Sequence, residues 1–569
     1  MIKKFSMLTV KAAVGLLPPG VKNSLKKNAR LTEFYSRSLQ RSGLFFGFPS
    51  PKKLQALYKK RLSQQQNELA EYEITKTNCH VVIAGTDPSK VTQTIATLDN
   101  DFLLVSSFFV EDSVYSLVSD AATSDDSIKP FSALTDIDDA PGLFIRQGER
   151  IDIRRLLQAL NNYDHSQEAE VVYFDWHYLD EKGQPVEAQL LPDWNPDLQL
   201  SSGYIKTAIW MQKPGYWLKK YPLNNDYACW FAQLALANED AITHIPFSVL
   251  ASTGSYKRDS GDLESLALVA ADKAAGTVDK NNAVVNLMWP LHTSPLVSLV
   301  IPTYNGLELV QACIDSILEK TTYQNYEIIL VDNNSDDPEC LKYFEQLNRH
   351  PKITVLKFPF PFNYSAINNF AVKHAKGEII GLINNDIEII TPEWLEYMAG
   401  HAMRADIGCV GAKLLYADGR IQHAGVVLGY GGGAGHAHKY FPRNHPGYLK
   451  RIAATQNYSA VTAACLLIKK KLWDQVGGLD EVNLKVAFND VDFCLRVRET
   501  GVRNLYCAEA EMFHYESISR GLDISPEKAQ RFKQELDFLQ TNWASYIEHD
   551  PAYNPNLTLR RENFSIKEA

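Results

Sequence analysis

The tightest constraint on this chain is a strand–helix–strand succession that begins at residue 297. Val297-Ser298-Leu299-Val300-Ile301 is an apolar run of strand length, and it ends in Pro302-Thr303-Tyr304-Asn305-Gly306. Leu307, Val310, Ile314, Ile317 and Leu318 then recur at helical spacing, and Glu327-Ile328-Ile329-Leu330-Val331 reads as a second strand. Two strands joined by a crossover helix run parallel, and a parallel sheet needs cover on both faces. An α/β domain is therefore expected, with further strands at Ile353–Leu356 and Ile379–Ile383.

In an open parallel sheet, ligands bind beyond the carboxyl ends of the strands. The first strand ends in Pro302-Thr303-Tyr304-Asn305, the second in Asp332-Asn333-Asn334-Ser335-Asp336-Asp337, and the Ile379–Ile383 strand in Asn384-Asn385-Asp386. No Gly-x-Gly-x-x-Gly follows the first strand and no Walker lysine is present, which disfavours a dinucleotide fold or a P-loop. Asp332 can accept from a base or ribose with Tyr304 covering the base. It can equally cap the following helix, because an Asp/Asn/Ser cluster is good turn chemistry. Asp386 at a strand end suits a divalent cation, magnesium or manganese, bridging two phosphates.

The rest of the 569 residues leaves room for about three or four units. Through residue 61 there are 14 Lys/Arg and one acid, Glu33, a net of +13; the remainder carries 44 basic and 66 acidic residues, a net of −22. Residues 1–75 form a basic amphipathic arm, with Phe5, Leu8, Val14, Leu17, Leu44, Phe45, Phe46 and Phe48 interleaved among the charges. Such an arm suits an anionic membrane surface or packing on its own protein. Nucleic acid is not expected as a partner, because the acidic body repels phosphate. Lys3, Lys4 and Lys11 interrupt the first apolar stretch, so a signal peptide is not expected. Nothing approaches the ~18 apolar residues of a membrane span. Eight cysteines without a CxxC pair argue against a zinc ribbon or disulfide framework and fit a reducing cytoplasm. Residues 76–265 read as α/β, with strands at His80–Ala84, Phe102–Val110 and Val171–Phe174. Residues 266–294 read as a linker, 295–545 as the main domain and 546–569 as a polar C-terminal tail.

The strand-end residues, in this order, resemble the family 2 glycosyltransferases with the GT-A (Rossmann-like) fold. The likeness runs from about Pro295 to Gly521. After Asn384-Asn385-Asp386, which is similar to the family's DxD motif in an NxD form, it includes Trp473-Asp474-Gln475-Val476-Gly477-Gly478-Leu479-Asp480-Glu481 and Phe488-Asn489-Asp490-Val491-Asp492-Phe493. His514-Tyr515-Glu516-Ser517 and Ser519-Arg520-Gly521 close the set. The resemblance implies an inverting, metal-dependent transfer from a nucleoside-diphosphate sugar. It places Asp332, with Pro302, Thr303, Tyr304, Asn305 and Asn385, at the donor nucleotide. Asn384, Asp386 and His514 fall at a magnesium or manganese site, Asp490 at the general base, and Trp473, Asp480, Glu481 and Asp492 on the acceptor side. The rhamnosyltransferase-like O-antigen branch looks nearest. It implies rhamnose as donor sugar, a lipid-linked oligosaccharide or growing polysaccharide as acceptor, and a cytoplasmic, peripheral position on the inner face of the cell membrane. The alternative is a catalytically inactive saccharide-binding or scaffold subunit, a reading that Asn384 and Asn489 support by replacing acids.

The first half looks like a degenerate copy. Gly142-Leu143-Phe144-Ile145 echoes the Gly377 strand, but Arg146-Gln147-Gly148 follows instead of an acid pair. Asn225-Asp226-Tyr227 and His244-Ile245-Pro246 are expected where the Asp490 and His514 elements would fall. Lacking the metal acid, residues 76–265 are expected to form a noncatalytic GT-A-like domain. Two other features are read plainly: Gly429–Gly435 as a mobile loop over the acceptor, and His423, His436 and His438 as no second metal site, since no carboxylate accompanies them.

Overall fold

Side chains along Val297–Thr303 alternate between two cores. Val297, Leu299 and Ile301 pack with Val310, Cys313, Ile314 and Ile317 of the helix Leu307–Lys320, whereas Val300 faces Ile329, Val331, Ile367 and Ile380. A strand apolar on both faces is stable only between two layers. The computed structural model describes Val10 and residues 49–98, 101–121, 127–162, 170–223, 226–252, 260–515 and 526–568. The expected arm up to Phe48, Val10 apart, lies outside the described residues, as do Asn225 and Glu516–Gly521 of the expected motifs.

Two mixed sheets organise the chain. The first contains β1 (Thr77–Ala84), β2 (Leu103–Val110), β3 (Ile128–Pro130), β4 (Gly142–Arg146), β5 (Glu149–Ile151), β6 (Val171–Leu179), β7 (Ile209–Met211) and β8 (Ile242–Ser252). The second contains β9 (Val297–Thr303), β10 (Tyr326–Asp332), β11 (Ile353–Lys357), β12 (Ile379–Ile383), β13 (Ile387–Ile389), β14 (Ile407–Leu415), β15 (Cys465–Lys469) and β16 (Arg503–His514). Their lateral orders are β3-β2-β1-β4-β7-β6-β8-β5 and β11-β10-β9-β12-β15-β14-β16-β13. The second order is the first advanced by one full set. The senses agree too: β1 is parallel to β2 and β4 as β9 is to β10 and β12, and β7 and β15 each run antiparallel to both neighbours. Even the short antiparallel strands Pro185–Gln189 on β6 and Ile421–His423 on β14 correspond.

Register corrects one expectation about the repeat. Glu149 of β5 pairs with Ser252, as Ile387 of β13 pairs with His514. Ser252, not His244, therefore stands at the place of His514, and Gly148 precedes β5 as Asp386 precedes β13. His244 lies deeper in the sheet beside Tyr173. Asp226 does stand at the start of a helix, Tyr227–Leu236, where it caps the N–H groups of Ala228 and Cys229.

Segments expected to be peripheral are packed. Within the expected arm, Pro51–Leu69 is a helix capped by Ser50, and its Tyr58, 2% exposed, donates to Ser248 Oγ at 2.8 Å. Residues 266–294 hold the end of the helix Ser260–Ala270 and a hairpin of Ala275–Asp279 with Val284–Met288. Small side chains make this possible: Leu266, Ala270 and Val285 close onto Ala228, Ala232 and Ala235. The polar tail buries Tyr553, Leu557, Phe564 and Ile566. It also places Asn554 and Asn556 on Asp175 of the first sheet, with Nδ2–O distances of 2.9 to 3.1 Å.

The halves meet across a seam of buried polar groups. Asn195 and Asn457 exchange hydrogen bonds at 2.8 and 2.9 Å, and Asn457 Nδ2 donates to Asp197 at 2.8 Å. Arg404 pairs with Asp197 on one side and Asp406 on the other, and Asp406 pairs with Arg503, the first residue of β16.

Beneath the tail, His244 lies between Asp175 at 2.9 Å and Asp193 at 3.3 Å. Burial alone would lower its pKa, but the two carboxylates outweigh burial and raise it from 6.5 to about 9. A pKa raised in the folded state contributes stability in full below the unfolded value and loses it as pH rises through the folded one. The melting temperature is therefore expected to fall from about pH 6.5 to about pH 9, and His244→Gln should flatten that slope. Thermal denaturation across the window checks this; an equal slope in the variant would remove His244 as its source.

Candidate active site

The ends of β9 and β10 are locked together by one asparagine. Asn305, at φ +47, accepts from the N–H groups of Asp336 and Asp337 at 3.0 and 3.1 Å and donates to Asp336 Oδ1 at 2.7 Å. Asparagine tolerates this left-handed conformation better than most residues. Asp332, the last residue of β10, pairs with Thr303 and is 4% exposed. Its Oδ1 accepts the N–H of Ser335 at 2.8 Å, a turn-capping role. Around this floor stand two exposed rings, Tyr304 at 53% and Phe360 at 57%. Asn333 Nδ2 holds the backbone before the second ring by donating to Phe358 O and Phe360 O at 3.0 and 2.7 Å. Pro302 belongs to β9 and is partly buried. A flat aromatic group beside a carboxylate and polar loops is suited to a nucleoside.

The next strand end carries the charged cluster. Asn385 Nδ2 donates to Thr303 Oγ1 at 3.0 Å, tying β12 to β9. His514 Nε2 lies 3.1 Å from Asp386 Oδ1 and 3.2 Å from Asn384 Nδ2. On its other side, His514 Nδ1 meets Gln422 Oε1 at 2.5 Å. Because an amide oxygen only accepts, Nδ1 donates to it, and this bond turns Nε2 toward Asn384 and Asp386. Among the described residues no group of three or more His, Cys, Asp or Glu assembles. The third donor here is instead the Asn384 amide, whose oxygen accepts from Tyr364 Oη at 3.3 Å. Carboxylate, amide oxygen and imidazole nitrogen fit magnesium or manganese in kind, with one negative charge fewer than a pair of acids would give.

Asp490 sits in the first turn of the helix Asn489–Arg498, which begins after Phe488 at φ +58. Its oxygens accept from Ala463 N at 3.1 Å and Val491 N at 2.9 Å. Burial pushes its carboxyl up despite those bonds, which moves it toward the proton affinity a general base needs. Residues 462–464 connect it to the cluster of Asn384, Asp386 and His514. Ala464 O accepts from Asn384 N at 2.9 Å, and Ala463 O accepts from Tyr364 Oη at 3.1 Å.

The residues expected on the acceptor side meet protein partners. Trp473 is buried, 4.9 Å from the Phe493 ring. Asp480 closes a turn on the N–H groups of Val482 and Asn483, and Glu481 accepts from Asn369 at 3.0 Å. Asp492 is buried between Arg496 and Trp543 Nε1, at 2.8 and 2.9 Å. The glycine run expected to be mobile is a hairpin, Val426–Leu428 with Ala434–His436. It is pinned under the tail, since a Cβ at Gly429 would stand 2.8 Å from Ile547 O. His423 accepts from Thr462 N at 3.3 Å, and His436 donates to Gln422 O at 2.8 Å, so both support residues of the site. Burial holds His423 near pKa 4.

Gln422, Tyr364 and Thr462 escaped the sequence reading. Tyr364 had a faint local signal, standing at a helix start after Pro-Phe-Asn. Gln422 had none: it reaches His514 only because Ile421–His423 pairs with β14.

Residues 298–476 match the model of Glycosyl transferase family 2. The chain thus carries a family 2 glycosyltransferase domain, centred on the strand ends just described. Over 438 residues, 73% of this chain and 48% of the relative, it is 40% identical to the uncharacterized protein y4gI of Sinorhizobium fredii. To the O-antigen biosynthesis protein RfbC of Myxococcus xanthus it is 31% identical over 425 residues, 70% of this chain and 32% of the relative. The chain therefore spans about half or less of these relatives. A solved mannosyltransferase, PcManGT from Pyrobaculum calidifontis in complex with GDP-Man and Mn2+, is similar at 17% identity and TM-score 0.32, over 43% of this chain and 64% of that one.

Because Gln422 holds the His514 imidazole, Gln422→Leu is expected to weaken manganese binding by about 10–100-fold, the usual scale for a partner behind a metal ligand. Manganese titration followed by electron paramagnetic resonance measures it. Unchanged affinity would remove Gln422 from the site.

Proposed function

We propose that the second half is an inverting glycosyltransferase that moves a sugar from a nucleoside diphosphate to a lipid-linked or growing cell-surface polysaccharide. The observation that carries this reading is the segment 462–464, which joins a half-buried carboxylate, Asp490, to the cluster of Asn384, Asp386 and His514. Asp332 and Asn385 hold the nucleoside side, and Tyr304 covers the base. Asp490 takes the proton of an acceptor hydroxyl as that oxygen bonds to the anomeric carbon. The sugar–phosphate bond breaks on the opposite face, and its electron pair leaves with the diphosphate. Attack and departure on opposite faces invert the anomeric configuration. A divalent cation held by Asn384, Asp386 and His514 would supply Lewis-acid stabilisation of the departing charge.

The name of the Myxococcus relative supports an O-antigen-like product, and rhamnose from a deoxythymidine diphosphate donor is the first donor to test. No helix among the described residues is long and apolar enough to cross a membrane. In our reading the basic arm supplies peripheral attachment at the inner face of the cell membrane, each Lys or Arg gaining about 1 kcal/mol near anionic lipid.

Asp490→Asn should leave donor binding nearly intact and cut turnover by about 100-fold or more; near-normal turnover would exclude it as the base. Calorimetry of Asp386→Ala should show donor affinity that no longer responds to manganese. An unchanged response would remove Asp386 from the cation site. For the arm, the deletion should stop at residue 48, since the helix from Pro51 is packed into the body. That truncation is expected to abolish binding to anionic vesicles while sparing donor hydrolysis, and vesicle binding that persists would make the arm a structural element.

A further inference from the structure

The first sheet repeats the crevice of the second with different walls. Between the ends of β1 and β4, where the second sheet has its cation cluster, the space is filled: Gln147 Oε1 accepts from Asp87 N at 2.8 Å, and a Cβ at Gly85 would collide with that side chain. Gly148 and Ser252 offer no acid or imidazole there. Beyond β2 and β3, however, the crevice stays open as a cavity of about 820 Å³. Its walls include Glu111, Asp112, Phe131, Leu134, Lys219 and Leu223. This is the strand-end position that Asp332 and Phe360 occupy in the second half.

We propose that this cavity binds an uncharged saccharide. Its volume lies within the range of about 300–1,000 Å³ typical of small-ligand sites. Two carboxylates set against Lys219 disfavour a diphosphate, whose charge nothing at Gly148 or Ser252 can neutralise. The same carboxylates are strong acceptors for pairs of hydroxyls. Glu111, 7% exposed and fixed through Oε1 by Gly85 N at 2.6 Å, stands at the cavity wall. Asp112 is oriented by Ser132, whose N–H and Oγ both donate to Oδ1 at 3.1 Å. Phe131 offers a ring to the C–H face of a pyranose, and Leu134 and Leu223 supply apolar wall. The first half then holds a stretch of glycan without performing transfer.

The test is saturation-transfer NMR and calorimetry on the full chain with chitotriose, a trirhamnoside and uridine diphosphate, all in EDTA. At least one neutral trisaccharide should bind in the millimolar range or tighter. Phe131→Ala and Asp112→Asn should each weaken it about tenfold or more, the scale of one lost charge-assisted contact. Both positions are at least partly exposed, and in Asp112→Asn the amide oxygen can still accept from Ser132, so folding should survive; circular dichroism checks it. Asp386→Ala should leave this binding unchanged, so the proposal stands or falls separately from the transferase reading. Binding of neither trisaccharide, binding indifferent to both substitutions, or uridine diphosphate competing for the cavity would each overturn it.

Discussion

A carboxylate taken out of water must be given partners, and Asp197 obtains them from the other half of the chain. Arg404 and Asn457 satisfy it, Arg404 leans on Asp406, and Asp406 holds Arg503 at the start of β16. A buried ion pair of this kind adds little net stability, yet breaking it costs about 3–5 kcal/mol because the surviving charge is stranded. Its main effect is on geometry. In this docking Asp197, Arg404, Asp406 and Asn457 all find partners, and the strand anchored there runs to His514. The orientation of the first half is thereby coupled to the strand that carries His514.

The site follows a similar logic on a smaller scale. Its chemistry-bearing groups are short side chains at strand ends, and each is aimed by a neighbour that performs no chemistry. Asn305 fastens two loops, Gln422 holds an imidazole, and the 462–464 segment joins Asp490 to Asn384. Rigid strands below and a tightened glycine hairpin beside them leave these groups little conformational entropy to lose on binding.

Much of this was legible in the sequence wherever the determinant was local. Unbroken apolar runs and helical spacing located β9, β10, β12 and the helix between the first two, because burial on both faces leaves an unmistakable apolar pattern. Asp332, Asn384, Asp386 and His514 at strand ends, and Asp490 at a helix start, were singled out by type and order. What stayed hidden depends on pairing between distant segments. The 266–294 stretch looked open because alanine gives a weak pattern, although small side chains are what let it close on Ala228 and Ala232. The tail looked polar because its asparagines serve a carboxylate some 380 residues away. His244 was matched to His514 by rough order along the chain, whereas strand register puts Ser252 there.

The shared strand order has one more consequence. Two sheets of one strand order within one polypeptide give the molecule its own control experiment. Positions that register brings into correspondence have been shaped by the same architectural demands but by different duties. Where the copies agree, as in the apolar runs of β1 and β9, the architecture suffices as the reason. Where they part, as at Gly148 against Asp386 and Ser252 against His514, the difference falls on the residues to which we assign the donor's cation.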